Sequence, residues 1–503
     1  MTDRSSLAMG KRIKRFMRKE YLYLMLLELL CFGGICLFGF STDSYTTFMS
    51  PDHLYDWMIN SNGRVLIGFM YKVWNVLGLS DRVFYTLNFV FFLVFIFIAC
   101  CFVNKLLREF VTSEILSITL SFITIANFFI VEYLCFLEKA GFALSILLSC
   151  IAAYFMVEFL KADKRKVLFL ILSHFFLNLS ALTYQAVVSL FIALTVPFAF
   201  KYMKNFTSYV INLALIAAMY AVSVAIAFDV LLAAGSVRNG ISVGIWQGIE
   251  TITQSYVYIC ATGIRIMPKW FYLCSVVLLG ILNVIGIFTR YRKEERLMSL
   301  INYLMLNIII PLAALITVFS SGWALTPRVV YTAGALPGVL IINYFVNVAS
   351  GSESKVCITD ILRKLISVYC VLVIVLQFFI FSKIFIAKYQ NDALDRYRIE
   401  MVADRISEYT EDTGIEVKKI CFYYDANPSG EQYPLVFFFK DMTASSFTRE
   451  WSQLNAVNYY TGGNYEEAEK DTELAEYFHS VDWDVYNDDQ LVFDGDTLHI
   501  CVY

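Results

Sequence analysis

Long apolar runs separated by short polar segments dominate the chain as far as Ile386. A membrane-crossing helix needs about 20 apolar residues, because a rise of about 1.5 Å per residue must cover about 30 Å of hydrocarbon. By this rule the pattern predicts eleven spanning helices, at 20–40, 82–103, 112–131, 140–160, 166–182, 184–201, 207–230, 268–289, 297–319, 333–349 and 364–387. The fifth and sixth spans are separated only by a few polar residues around Tyr184 and Gln185.

A shorter apolar run, at about 62–78, opens with Gly63 and Arg64. Phe69, Val73 and Leu77 follow at helical spacing, but the run is too short to span a bilayer. The pattern therefore predicts a helix that lies in the plane of the membrane interface.

The pattern changes at residue 388, where polar residues become frequent. Three strand-like runs follow, at Val417–Tyr424, Leu435–Lys440 and Thr497–Tyr503. A helical period covers Asp392–Tyr409, and its apolar side is predicted to contain Leu394, Tyr397, Met401, Val402 and Ile406. We therefore expect two domains, a membrane domain at 1–387 and a small α/β domain at 388–503 that continues from the last spanning helix.

Composition and charge support a polytopic membrane protein and give its predicted orientation. Of the 503 residues, 58% are hydrophobic and only 17% are charged. Lys and Arg concentrate before the first span and in alternate loops, which predicts a cytoplasmic amino terminus and, with eleven spans, an extracytoplasmic tail. That tail is acidic, with 24 Asp and Glu residues against nine Lys and Arg residues.

The twelve cysteines lie mostly inside apolar runs, and their spacing fits no zinc or disulfide pattern. Cys421 and Cys501 both fall on predicted strands of the tail. They could form a disulfide or remain two buried thiols, and the sequence leaves both possibilities open.

Carboxylates are concentrated where the chain leaves the first span. Asp43 follows that span directly, and it can act as a general base or belong to an ordinary hydrated loop. Asp52 and Asp56 are one helical turn apart, and the Ser-Pro-Asp pattern favours a role in helix capping. Glu138, near the start of the fourth span, can face a polar cavity or stabilise the helix dipole.

Other polar residues fall at the predicted outer face. Arg328 is the single basic residue of its loop, close to Trp323, and it suits either phosphate binding or a position at the membrane interface. Tyr184 and Gln185 fit a tight turn slightly better than a binding site.

Several short motifs resemble a known family, and they occur along most of the chain. They are Thr42-Asp43-Ser44-Tyr45, Gly63-Arg64, Thr183-Tyr184-Gln185, Pro327-Arg328-Val329 and Leu394-Asp395-Arg396-Tyr397. Together they resemble the bacterial polytopic glucosyltransferases of the GT-C class, which modify O-antigen and other surface polysaccharides. Family members often have two adjacent acids at the first motif, whereas this chain has Ser44 at the second position.

The resemblance implies an all-α, GT-C-like membrane enzyme of the bacterial plasma membrane. Such an enzyme transfers a sugar, by default glucose, from a polyprenyl phosphate to a polysaccharide on the outer face. A separate synthase that charges the lipid and a small flippase would be its partners. No cofactor, metal ion or nucleic acid is expected.

The resemblance also assigns roles to individual residues. Asp43 would be the base and Glu138 would orient it or the acceptor. Arg328 and Arg64 would bind the donor phosphate. The remaining candidates for substrate contacts are Tyr45, Asp52, Asp56, Tyr184, Gln185 and Trp323.

Two other interpretations fit the same pattern. One is a flippase or exporter of lipid-linked glycans, which should carry charged residues deep in its spans, where this chain has few. The other is a polysaccharide polymerase acting on lipid-linked glycans. A sensor with the tail as receptor domain ranks last. A nucleotide-sugar enzyme is disfavoured because the chain has no Gly-rich phosphate-binding loop.

Overall fold

The computed structural model describes residues 19–36, 40–162, 166–234, 245–290, 293–314, 325–349, 356–426, 442–483 and 487–502. Up to residue 413 the described regular structure is helical: α1 (Lys19–Phe32), α2 (Thr42–Met49), α3 (Pro51–Asp56), α4 (Val65–Leu77), α5 (Asp81–Leu107), α6 (Glu114–Ile125), α7 (Ile130–Cys135), α8 (Lys139–Lys161), α9 (Lys166–Thr183), α10 (Ser189–Lys201), α11 (Phe206–Ala233), α12 (Ile245–Thr262), α13 (Phe271–Arg290), α14 (Lys293–Asn307), α15 (Ile309–Ala314), α16 (Tyr331–Asn343) and α17 (Val356–Thr413). The tail adds β1 (Lys419–Tyr424), α18 (Glu450–Thr461), β2 (Glu466–Glu467), α19 (Thr472–His479), β3 (Leu491–Asp494) and β4 (Thr497–Val502).

Within these described ranges, eight helices are long and apolar enough to cross a membrane. The protein is therefore a predominantly helical, polytopic membrane protein, as the apolar runs predict. Three of the eleven predicted spans correspond to shorter helices, because α1 has 14 residues, α6 has 12 and the helical segment Gln185–Lys201 also falls below 18. The number eleven thus stays a prediction. The turn predicted between the fifth and sixth spans is present between α9 and α10.

The described residues form two compact units. The first comprises Met1–Gly33, Tyr55–Leu134 and Glu138–Ile380, and the second comprises Gly34–Leu54, Cys135–Leu137 and Phe381–Tyr503. The second unit therefore includes the loop after the first helix as well as the tail. Asp43 belongs to this second unit, whereas Glu138 and Arg328 belong to the first.

Helix α8 is central to the first unit, because small residues along it allow neighbouring helices to approach closely. The Ser145 and Ser149 hydroxyls lie 3.0 and 2.8 Å from the Ser180 hydroxyl of α9. A Cβ atom added at Gly141 would lie 2.5 Å from the Ile67 side chain of α4, so this glycine permits the contact between the two helices.

A layer of buried asparagines joins several helices of the first unit. The amide of Asn343 donates to Asn283 at 2.9 Å, and its oxygen accepts from Asn302 at 2.9 Å and from Asn347 at 2.8 Å. Asn302 also accepts from the Tyr209 hydroxyl at 3.1 Å. Such hydrogen bonds fix which helices pair, because apolar contact alone discriminates poorly in a lipid environment.

The predicted short helix near 62–78 is present as α4. Gly63, with a φ of 61°, makes the left-handed turn that precedes it, and Arg64 occupies the N-cap position. Tyr71 and Trp74 are buried, whereas Val73 is 54% exposed. The side that carries Phe69, Val73 and Leu77 is exposed, so much of this apolar surface does not pack against the described part of the protein. The position of the helix in the membrane interface stays a prediction.

The second unit contains a four-stranded sheet in the order β2-β1-β4-β3. Strands β1 and β4 are parallel, and β3 and β4 form an antiparallel hairpin with Gly495 at a φ of 56°. The predicted strands at Val417–Tyr424 and Thr497–Tyr503 correspond to β1 and β4. The run Leu435–Lys440 lies outside the described residues.

Helix α17 continues without interruption from the last apolar run into the tail, as predicted. Its buried side includes Ile399, Val402 and Ile406. The prediction for Tyr397 is wrong, because this side chain is 59% exposed. The buried side follows positions 395, 399, 402 and 406, which places residue 397 on the opposite side of the helix. Cys421 and Cys501 are buried free thiols.

Candidate functional site

Five polar side chains converge within the apolar helices of the first unit. We call Arg64, Glu132, Glu138, Tyr184 and Arg328 the arginine cluster. Four of them are charged, and ionised groups at membrane depth are costly and usually mark a functional site or a paired network.

Arg64 is the centre of one half of the arginine cluster. Its Nη1 atom lies 3.6 Å from Oε1 of Glu138, and the two side chains are only 9% and 10% exposed. Its guanidinium lies over the ring of Tyr184, 4.8 Å from the ring centroid, and 5.8 Å from that of Phe142. Arg64 makes no hydrogen bond through its guanidinium in the described part of the chain, which leaves several N–H donors for a ligand.

Glu138 stands immediately before α8, where a carboxylate could cap the helix. It makes no capping hydrogen bond. Its carboxylate instead interacts with Arg64 and accepts a long hydrogen bond, 3.5 Å, from the Tyr71 hydroxyl. Glu138 therefore takes part in a polar cluster, and at the N-cap of α8 its carboxylate also lies where a negative charge stabilises the helix dipole, so both roles that the sequence allows stay open.

Tyr184 is the uncharged member of the arginine cluster and is 1% exposed. Its ring packs edge-on against Phe142 and Tyr133, at centroid distances of 4.8 and 5.7 Å. Its hydroxyl has no hydrogen-bond partner within the described ranges. A buried hydroxyl without a partner costs about 1–3 kcal/mol, so a ligand that accepts its hydrogen bond would recover that energy.

Arg328 forms the other half of the cluster with Glu132. Its Nη1 atom lies 3.1 Å from Oε1 of Glu132, and its backbone N–H donates to the same carboxylate. The carbonyl of Arg328 accepts from the Tyr133 hydroxyl at 2.7 Å. Both arginines and both carboxylates interact electrostatically with Tyr184. The Tyr184 ring thus lies next to one guanidinium and in the electrostatic field of a second, an arrangement that suits a phosphate.

Asp43 lies in the second unit, in the first turn of α2, and is partly buried. Its Oδ1 atom accepts a hydrogen bond from Nε1 of Trp451 at 3.1 Å, and its backbone carbonyl accepts from Thr47. The tail therefore fixes one oxygen of this carboxylate.

A buried polar group accompanies Asp43 in the same unit. The Tyr45 hydroxyl donates to Asp392 at 2.5 Å and lies 2.8 Å from the Tyr460 hydroxyl. The Lys388 ammonium, whose residue is 4% exposed, interacts electrostatically with Asp43 and Asp392. Burial, reinforced by the charge of Asp392, raises the pKa of Tyr45, which keeps this phenol a neutral donor.

The structure places the other predicted substrate residues as follows. Tyr45 is fully buried in the hydrophobic core of the second unit. Gln185 donates to the backbone carbonyls of Asn62 and Gly63 at 3.2 and 3.4 Å, which ties the α9–α10 turn to the start of α4. Asp56 is exposed. The side chain of Asp52 and the whole of Trp323 lie outside the described residues.

Sequence reasoning missed Tyr71, Lys388, Asp392 and Trp451. Lys388 and Asp392 are one turn apart just after the last apolar run, and this spacing was a usable signal. Nothing in the sequence connects Trp451 to Asp43, since 408 positions separate them.

The fold, the arginine cluster and the polar residues around Asp43 define the class of protein. It is a polytopic helical membrane protein that has charged residues among its apolar helices and a small α/β unit that includes its tail. Comparison with protein-family models, with curated proteins and with solved structures gave no match.

Proposed function

We propose that the protein is a membrane glycosyltransferase that uses a polyprenyl-phosphate sugar as donor and a surface polysaccharide as acceptor. Transfer takes place on the outer face of the bacterial plasma membrane, with the amino terminus in the cytoplasm and the tail outside. The observation that carries this proposal is the buried Tyr184, whose hydroxyl has no partner in the described ranges, next to the buried Arg64, with the partly buried Arg328 in the same cluster.

The arginine cluster has the chemistry that a lipid-linked phosphate requires. Arginine presents planar, permanently charged donors that match phosphate oxygens, and Arg64 has donors unused within the described ranges. A lipid phosphate reaches such a site from the bilayer, with its apolar tail among the spanning helices. Glu132 and Glu138 keep the guanidinium groups neutralised until the phosphate enters.

Asp43 is the proposed base. Its carboxylate takes the proton from an acceptor hydroxyl while that oxygen attacks the anomeric carbon of the donor sugar. The bond between this carbon and the phosphate oxygen breaks with its electron pair, so the lipid leaves as a phosphate monoester and the configuration inverts. Arg64 and Arg328 stabilise the charge that develops on the departing phosphate.

The proposal is tested with the purified full-length protein in detergent, a radiolabelled polyprenyl-phosphate glucose and a surface polysaccharide as acceptor. We expect transfer by the wild type and a loss of about 10²–10³-fold in the rate for Arg64→Ala, similar to the removal of one oxyanion donor. Arg82→Ala is the matched control, because Arg82 is an exposed arginine in the first turn of α5, in the same unit as Arg64.

Asp43→Asn should abolish transfer while donor binding persists. Full activity of this variant would refute the assignment of the base. Movement of the labelled lipid across liposomes without formation of a glycosidic bond would support the flippase or exporter instead, and elongation of a lipid-linked glycan would support the polymerase.

A further inference from the structure

Trp451 has an unusual position for so large an apolar side chain. It is the second residue of α18 and is 54% exposed, whereas Phe447 and Val457, nearby in sequence, are buried in the core of the second unit. A large exposed aromatic surface beside a candidate catalytic carboxylate requires an explanation.

The indole is held in a fixed orientation. Its Nε1 atom donates to Asp43 at 3.1 Å, and its backbone carbonyl accepts from the Thr46 hydroxyl at 3.1 Å and from the Asn455 amide at 3.0 Å. Ser452 Oγ donates to the carbonyl of Thr42 at 2.9 Å. The start of α18 is thus attached to α2 by several hydrogen bonds, so the ring needs little further ordering when a ligand binds.

The groups around the ring are polar. The Arg449 guanidinium lies 5.6 Å from the ring centroid, and Asn455 also donates to Thr46 at 3.3 Å. An aromatic ring with a carboxylate hydrogen-bonded to its edge and a guanidinium near its face matches a sugar ring. The C–H groups of the sugar are attracted to the negative face of the indole, while its hydroxyls hydrogen-bond at the edge.

We infer that Trp451 is the binding platform for the acceptor glycan, with one sugar ring stacked on the indole and its reacting hydroxyl directed to the second oxygen of Asp43. The inference rests on the proposed function and extends it, because it gives the tail a role in acceptor recognition. Stacking on a rigid ring costs little conformational entropy, which makes the indole a suitable platform for a flexible polysaccharide.

The experiment uses the full-length protein in detergent with neutral oligosaccharides released by mild acid from the bacterium's own surface polysaccharide. Binding without donor and the acceptor KM are both measured for the wild type, Trp451→Ala and Trp451→Phe. Tyr477→Ala is the matched control, because Tyr477 is a 44% exposed aromatic residue on α19 of the same unit.

We expect Trp451→Ala to weaken oligosaccharide binding and raise the acceptor KM at least tenfold, with the donor KM unchanged and the control unaffected. Trp451→Phe retains an aromatic face but lacks the N–H that binds Asp43, so its acceptor KM should rise about threefold only. If Trp451 acted only by holding Asp43, both variants would lose turnover equally and acceptor affinity would not change, which would overturn the inference.

Quenching of the Trp451 fluorescence by brominated lipid, without protection by oligosaccharide, would identify a membrane anchor and would also refute the platform. The two proposals fail separately. Oligosaccharide binding through Trp451 without any transfer by the wild type would refute only the glycosyltransferase. Transfer with an unchanged acceptor KM in Trp451→Ala would refute only the platform.

Discussion

Replacing Glu138 by glutamine tests the arginine cluster most directly, because stability and ligand affinity should change in opposite directions. The substitution keeps the shape of the side chain and an oxygen that can accept from Tyr71. It removes the negative charge that faces Arg64 at 3.6 Å. Stability should therefore fall, while affinity for a competing anion should rise.

The magnitude follows from the geometry. Unit charges 3.6 Å apart at an effective dielectric constant of 20 interact by about 4–5 kcal/mol. Breaking a buried pair by removing one partner costs about 3–5 kcal/mol, and the residual hydrogen bonding of the glutamine reduces this, so we expect a loss of about 2–3 kcal/mol. The apparent midpoint of thermal unfolding should fall by several degrees.

The assay is thermal unfolding of the full-length protein in detergent at rising concentrations of inorganic phosphate, with chloride at matched ionic strength as reference. A ligand at ten times its Kd stabilises the folded state by about 1.4 kcal/mol. Because the neutral side chain of the Glu138→Gln variant no longer competes for Arg64, phosphate should stabilise the variant more strongly than the wild type. Glu400→Gln, at an exposed ion pair, should change neither quantity measurably.

Loss of stability without any gain in the response to phosphate would show that Arg64 and Glu138 form a purely structural pair. That result would remove the main support for a phosphate site in the first unit. It would leave the description of the fold unchanged.

Three further predictions concern the same chain. Tyr184→Phe removes a buried hydroxyl that has no partner in the described ranges, so the free energy of unfolding should stay the same or rise by about 1 kcal/mol. The donor KM should increase, because the proposed hydrogen bond to the phosphate is lost. A clear loss of stability would contradict this prediction. Asn343→Leu removes three hydrogen bonds between asparagines and should lower the free energy of unfolding by about 2 kcal/mol. Asn307→Leu removes one hydrogen bond within its own helix and should lower it less. Equal losses of stability in thermal unfolding would contradict a role of Asn343 in joining helices. Burial lowers the pKa of His499 in the folded protein below 6.5. The stability that the neutral histidine contributes is therefore complete above pH 6.5 and is lost as the pH falls towards the pKa of the folded state. Unfolding followed by intrinsic fluorescence at a series of pH values should show this loss of stability, and His499→Gln should make it smaller.

Most of the secondary structure could be predicted because it depends on local pattern. Apolar runs of sufficient length specify membrane helices whatever their partners, and the short apolar, aromatic run within Val417–Tyr424 predicts a strand. The helix predicted after the last span is present. The prediction that Tyr397 lies on its apolar side is wrong. Five apolar residues are too few to fix the direction of the buried side of a helix, so a residue about one position away from that side is easily included.

The candidate site could be predicted only in part. The sequence marks Glu138 as a charged group at membrane depth and Arg328 as the single basic residue of its loop, and the resemblance adds Arg64 and Tyr184. All four occur in one cluster. Tyr71, which donates to Glu138, and Tyr133, which donates to Arg328, could not be predicted as members of the site. The sequence around a tyrosine in an apolar helix is the same whether its side chain faces a charged group or lipid.

The sequence by itself determined that this protein crosses a membrane several times, that its tail is an acidic α/β segment continuous with the last helix, and that a few charged residues lie among the apolar helices. These properties follow from composition and period over windows of about 10–20 residues. Only the tertiary structure decided which polar groups meet. It pairs Arg328 with Glu132 across 196 positions and Trp451 with Asp43 across 408, and it separates Asp43 and Glu138 into different units. The physical reason is that such contacts arise from the packing of helices and strands distant in the chain, and a single sequence does not encode that packing in its local pattern.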